Sequence, residues 1–229
     1  MGHVFGATFA AWFLAVAALS QRTSPVKQLP TVTFTYDFPG SNPDHYFISI
    51  ADDGGASYDS TGKLTAQSDG DDLFRMDFKV TDGTRARIFA LARKADYFAG
   101  NVDSGKKLAT MGTKTLAYRD GQRSTKATYN YSSRPPVQEL TQLLQGMALT
   151  LEFGRRLEYE YRYQKLALDE ELKEMEGESD RGRLEELGAV TAILKKIEMD
   201  TSLVNIARVR AQRLLAKVQS SHSGLEPEK

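Results

Sequence analysis

The chain has 229 residues, and its 30 Lys and Arg balance 30 Asp and Glu to a formal net charge of zero. A neutral chain without a basic run is a poor partner for nucleic acid, whose binding rests on phosphate neutralisation, and for an anionic membrane surface. With no cysteine, disulfides, thiolate zinc sites and thiol catalysis are excluded.

The chain opens on an uncharged apolar run from Val4 to Leu19, sixteen residues long. As a helix it would span roughly 24 Å, short for a bilayer core of about 30 Å. Ala18-Leu19-Ser20 fits the small-x-small cleavage pattern, so the expectation is a signal peptide over 1–20 and an exported product, periplasmic or secreted, that starts at Gln21 and has no stable membrane association. Met1-Gly2-His3 carries no Lys or Arg, which leaves retention as an anchor, or a misplaced start codon, open. Residues 21–30, with Pro25 and Pro30, read as a linker.

Residues 31–133 read as an α+β domain. Val32, Phe34, Tyr36 and Phe38 alternate with polar residues, the period of a half-buried strand. Tyr46, Ile48 and Ile50 repeat the pattern and run into Asp52-Asp53-Gly54-Gly55, a hairpin turn, with a return strand through Ala56-Ser57-Tyr58. After a loop at 68–72, Phe74, Met76, Phe78 and Val80 mark another strand. Thr81 or Asp82 suits the cap of a helix over about Thr84 to Phe98, with Ile88, Leu91, Ala92 and Ala95 inward. Leu108 to Tyr118 and Arg123 to Tyr131 then form a second hairpin across Asp120-Gly121. A small antiparallel sheet with one covering helix follows from this order.

Residues 134–219 read as a helical region. Pro135-Pro136 suits a helix entry, and apolar positions recur at helical spacing from Leu140 to Met175. That predicts a spine of roughly 60 Å, with a seven-residue gap around Gln164 and a possible kink site at Gly146 or Gly154. Two shorter helices follow, Gly182 to Met199 and one capped by Asp200 or Thr201. Residues 220–229 are polar and read as a disordered tail.

Catalytic signals are weak. His3 falls in the targeting segment and His222 in the tail, so a histidine site in the folded chain depends on His45, which sits in a turn and lacks a G-x-S-x-G partner. Asp69, Asp71 and Asp72 share a loop but lack a calcium frame. Paired with Asp52 and Asp53 they offer an acid and a base for glycan hydrolysis, if the carboxyl groups come within roughly 5–9.5 Å. Met111-Gly112-Thr113-Lys114-Thr115 lacks the spacing of a phosphate loop, so no cofactor or metal is expected.

The densest polar run lies on the long helix. Glu152–Arg156 and Glu158–Arg162 have favourable i,i+4 spacing, and Tyr159, Tyr161 and Tyr163 interleave with them. Arg155, Arg156, Tyr159, Arg162 and Tyr163 are therefore the candidate partner-binding residues, because Tyr and Arg concentrate in binding hot spots. The competing reading packs the tyrosines under the sheet. A third class, a carrier of small apolar ligands, requires a cavity between sheet and helices.

The blocks Gly112-Thr113-Lys114-Thr115-Leu116-Ala117-Tyr118, Tyr129-Asn130-Tyr131-Ser132 and Glu152-Phe153-Gly154-Arg155-Arg156-Leu157-Glu158-Tyr159, continued by Arg162-Tyr163-Gln164-Lys165-Leu166-Ala167-Leu168-Asp169, resemble a group of exported bacterial proteins with no assigned activity. The resemblance implies export and a shared fold. On the residues and on the resemblance together, the expectation is an exported, non-catalytic module that binds a protein or another envelope partner.

Overall fold

The period-two alternation beginning at Thr31 builds the centre of the molecule. A computed structural model of the chain describes residues 1–2, 28–65, 68 and 72–223. β1 (Thr31–Asp37), β2 (His45–Ala51), β3 (Gly55–Gly62), β4 (Asp72–Lys79), β5 (Thr113–Arg119) and β6 (Ser124–Tyr129) form one antiparallel sheet in the order β4-β3-β2-β1-β5-β6. The register places Met76, Tyr58, Ile48, Phe34, Leu116 and Ala127 in one row across all six strands. This face is apolar and covered by helices. The opposite face carries Thr33, Thr35, Ser49, Ser57, Thr115 and Thr128 and faces water, as antiparallel sheets allow.

Two helices cover the apolar face. α1 (Asp82–Lys94) starts where Thr81 Oγ accepts the Thr84 N–H, and buries Ile88, Leu91 and Ala92. α2 (Pro135–Tyr163) is a continuous helix of 29 residues. It crosses the sheet from one edge to the other. Thr141 bonds Tyr129 of β6, Gln145 and Ala148 lie by Tyr46 of β2, and Glu152 bonds Tyr58 of β3. The Arg155 guanidinium then lies 5.3 Å from the Phe74 ring of β4. The first half of α2 thus belongs to the sheet's core. Its second half, from Phe153, belongs to a helical core with α3 (Leu168–Asp180), α4 (Thr191–Met199) and α5 (Asn205–Ser223). A boundary at 133/134 follows the last strand along the chain, and α2 beyond it takes part in both cores.

The predicted α+β class stands, and several boundaries move. The spine does not run unbroken to Met175. It ends at Tyr163, and Gln164 leaves helical backbone (φ −142°) before α3 begins at Leu168. The seven-residue gap is this break, and folding back lets Leu168, Leu172 and Met175 join Phe153 and Leu157. The helix expected from Gly182 is instead an irregular segment with a left-handed Glu186, followed by a short 3₁₀ turn and α4. Asp200 and Thr201 cap nothing: Asp200 follows α4 and accepts bonds from Ser202, Lys165 and Tyr161. Residues 220–223 continue α5 rather than starting the tail. The apolar run 4–19, most of the linker, and Asp69 and Asp71 lie outside the described residues. Among the described residues no helix is long and apolar enough to cross a membrane.

The two glycines of α2 mark close approach, not a kink. A Cβ on Gly146 would stand 2.9 Å from the Arg183 carbonyl oxygen, and one on Gly154 would stand 2.4 Å from Val190 Cγ1. Their absent side chains let the segment leading into α4 lie directly against α2.

Candidate functional site

The close approach at Gly154 creates a cleft. α4 is drawn against the second half of α2, and both lie beneath β4. The space between them is about 570 Å³ and is lined by Phe74 and Met76 from β4, by Gly154, Arg155, Glu158, Tyr159, Arg162 and Tyr163 from α2, and by Val190, Ala192 and Ile193. The floor is apolar. Leu73 and Tyr163, 86% and 70% exposed, stand at its mouth, and Tyr159 stacks against Tyr163 with ring centroids 5.1 Å apart.

Four of the five candidate residues meet here. Tyr159 is half-buried in the wall, and Tyr163 and Arg162 are exposed, with Arg162 3.4 Å from Glu158 as its spacing predicted. Glu158 also accepts from Lys196 of α4 at 3.1 Å. Arg155 is at the inner end but is buried, and its bonds are internal. It donates to the carbonyls of Gly62 and Asp72 and pairs with Glu152 at 3.4 Å. Glu152 also accepts Tyr58 Oη at 2.8 Å and Ser60 Oγ at 2.6 Å. Both charges are therefore surrounded by bonds, as burial demands. The expected Glu152–Arg156 pair does not form, because Glu152 turns into the sheet and Arg156 turns away from it. Arg156 lies outside the cleft, 2.6 Å from Glu171 of α3 and stacked on Phe153. Tyr161 does not line the cleft either, and donates to Asp200, just after α4, at 3.1 Å.

Beside Arg156, Glu160 is an unsatisfied carboxylate. Its Oε2 is buried and has no hydrogen-bond partner among the described residues. Burial, then the nearby charge of Glu171, push its pKa up to about 7, against the pull of Arg156.

Among the described residues the other sequence candidates do not converge. His45 does find a carboxylate, Asp37 at 2.6 Å, but the pair is on the water-facing side of the sheet, and among the described residues no nucleophile bonds its other ring nitrogen. Asp52 and Asp53 sit in the β2–β3 turn, where Asp53 accepts the Gly55 N–H. Asp72 begins β4 at the opposite end of β3. Seven strand steps separate the two ends, about 23 Å, far outside the spacing of a glycosidase pair.

Sequence reading missed the β4 and α4 walls. The alternation of Phe74, Met76 and Phe78 marks a strand but says nothing of its place in the sheet. Only the pairing order makes it an edge. A scan against protein-family models and a search of curated protein sequences find no match for this chain.

Proposed function

We propose that the chain is an exported, non-catalytic module that binds a protein partner through the cleft between β4, α2 and α4. One observation carries this reading: an apolar floor opens to solvent beneath a sheet edge, and its mouth holds Tyr159, Tyr163 and Arg162, residue types that anchor protein interfaces. Asp72 is too far from Asp52 and Asp53 to form a catalytic pair with either, and the His45–Asp37 pair is on the water-facing side of the sheet. Export rests on the N-terminal apolar run and on the resemblance.

A photo-crosslinking residue at Tyr163, compared with one at Thr128 on the open sheet face, tests the reading in cells. Both positions are exposed. A discrete adduct at Tyr163 alone, lost when Ala192→Arg fills the cleft, is the expected result. Equal adducts at both positions, or an adduct indifferent to Ala192→Arg, would sink it. The second reading, a carrier of small apolar ligands, draws on the same floor. It predicts an extractable small molecule in place of the protein adduct.

A further inference from the structure

The cleft adjoins an unpaired sheet edge. β4 is the last strand on its side, and β3 is its partner over the full length from Asp72 to Lys79. The Val80 N–H donates to the Gly54 carbonyl at 3.0 Å. In an antiparallel ladder this fixes the phase: residues 74, 76 and 78 exchange bonds with β3, and Leu73, Arg75, Asp77 and Lys79 point their N–H and C=O groups outward. Among the described residues nothing bonds these outward groups.

Beneath this edge lies a ledge. α2 crosses the sheet in the direction of β4 and reaches it at Arg155. The eight residues from Arg156 to Tyr163 carry the helix about 12 Å further, with α4 alongside. One added strand needs about 4.8 Å in the plane of the sheet, so there is room above the ledge for an extended segment. A second copy joined edge to edge would bring its own ledge into the same space.

From this we infer that β4 takes up an extended segment of a partner protein as a seventh, antiparallel strand, with alternate apolar side chains entering the cleft. The inference rests on the binding reading above and specifies its mode. Strand addition supplies affinity through main-chain bonds, and pockets for alternate side chains supply selectivity. The inward row continues Phe74, Met76 and Phe78, half-buried residues that one more strand would cover. The outward row sets the charges: an acid opposite Arg75 and a base opposite Asp77, since opposite charges in directly facing positions favour pairing and like charges oppose it.

The β4 sequence itself meets these requirements. Laid antiparallel and centred on Met76, a copy of it faces Arg75 with its own aspartate and Asp77 with its own arginine, and it presents Phe, Met and Phe inward. The probe is therefore the labelled peptide Asp-Leu-Phe-Arg-Met-Asp-Phe-Lys, titrated against the full chain by fluorescence anisotropy. Saturable binding is expected, weakened about tenfold or more when the peptide's arginine and second aspartate are exchanged. The exchanged peptide should regain affinity for the Arg75→Asp/Asp77→Arg chain. N-methylation at those two peptide residues should abolish binding, and N-methylation at the intervening methionine should not. No saturable binding, or binding indifferent to both charge exchange and N-methylation, overturns the inference. So does sedimentation of the chain as a dimer that the peptide disperses, which would make a second copy the occupant. The two readings fail separately. If Ala192→Arg removes binding but N-methylation does not, the strand mode fails and the cleft reading stands. If N-methylation removes binding and neither Ala192→Arg nor Tyr163→Ala weakens it, the cleft reading fails and edge pairing stands.

Discussion

The two edges of the sheet are built to opposite ends. β6 has six residues, and its inward Ala127 and Tyr129 are buried. A left-handed turn over Asp96–Phe98 packs on that side, and Thr125 donates from β6 to the Tyr97 carbonyl. Tyr97 stacks on Tyr118 at 4.5 Å, and the Arg123 guanidinium lies 4.5 Å from the Tyr97 ring centre. Left-handed backbone at a non-glycine residue costs about 1–2 kcal/mol, and three such residues in a row are held there by the burial of Phe98 and by these stacks. β4 has eight residues, half-exposed Phe74, Met76 and Phe78, and no turn of its own. An uncovered edge is a liability that proteins ordinarily blunt. Among the described residues nothing bonds the outward main-chain groups of either edge strand, but at β6 the inward face is closed by strained backbone, and at the longer β4 it is left half-open above an apolar ledge. Strand number alone does not make an edge reactive. What lies beneath it does.

The largest expected effect comes from detaching α2 from the strands beside the open edge. Glu152→Ala leaves the Arg155 guanidinium buried without its carboxylate, a change that costs about 3–5 kcal/mol, read as a lowered urea midpoint. A loss well under 1 kcal/mol would mean that the Gly62 and Asp72 carbonyls suffice. Next is Gly154→Val, which forces Val190 away and narrows the cleft. Overpacking of this kind costs about 1–3 kcal/mol, and it should weaken partner adducts at Tyr163 beyond any loss of folded protein.

A smaller effect comes from Glu160. Its folded pKa, near 7, lies above the usual carboxyl value, so the native state holds a proton that the unfolded chain has released. Between the unfolded value and about 7, stability therefore falls as pH rises. Glu160→Gln should stabilise the chain at pH 8 and lose that advantage as the pH drops below the ordinary carboxyl range. A constant difference across the window in thermal melts would show that Glu160 does not titrate there. The smallest effect on stability belongs to Leu73→Lys at the mouth of the cleft, within about 0.5 kcal/mol because the side chain is exposed. The same substitution should still reduce peptide binding at β4, while an equivalent charge at Thr128 on β6 should not.

Much of this contrast could be read from sequence, though not its cause. Period-two runs located β1, β2, β4 and the β5–β6 hairpin, because alternation reports which faces are wet. The Tyr/Arg run on α2 pointed to four of the residues that line the cleft. Alternation is silent on strand order, so β4 could not be known as an edge, nor Arg156 as facing α3. Helical spacing also continued through Leu168 to Met175 although the chain had already turned back. A stripe of the same period on the next helix looks like one helix until contacts place it. The glycines at 146 and 154 resembled kink points because a missing side chain is ambiguous until its neighbour is known.

The position of β1 bears on how the chain assembles. β1 to β4 follow one another with no more than nine residues between successive strands, so this meander can form from local contacts. β5, the other neighbour of β1, lies about 80 residues further along, and closing a loop of that size carries an entropy cost that must be met before its pairing is gained. Until Thr113–Arg119 arrives, β1 shows a bare edge with Val32 and Phe34 on its apolar face. Fragments that stop before β5 should therefore be the aggregation-prone form of this protein, and the order of synthesis sets how long every new chain spends in that condition.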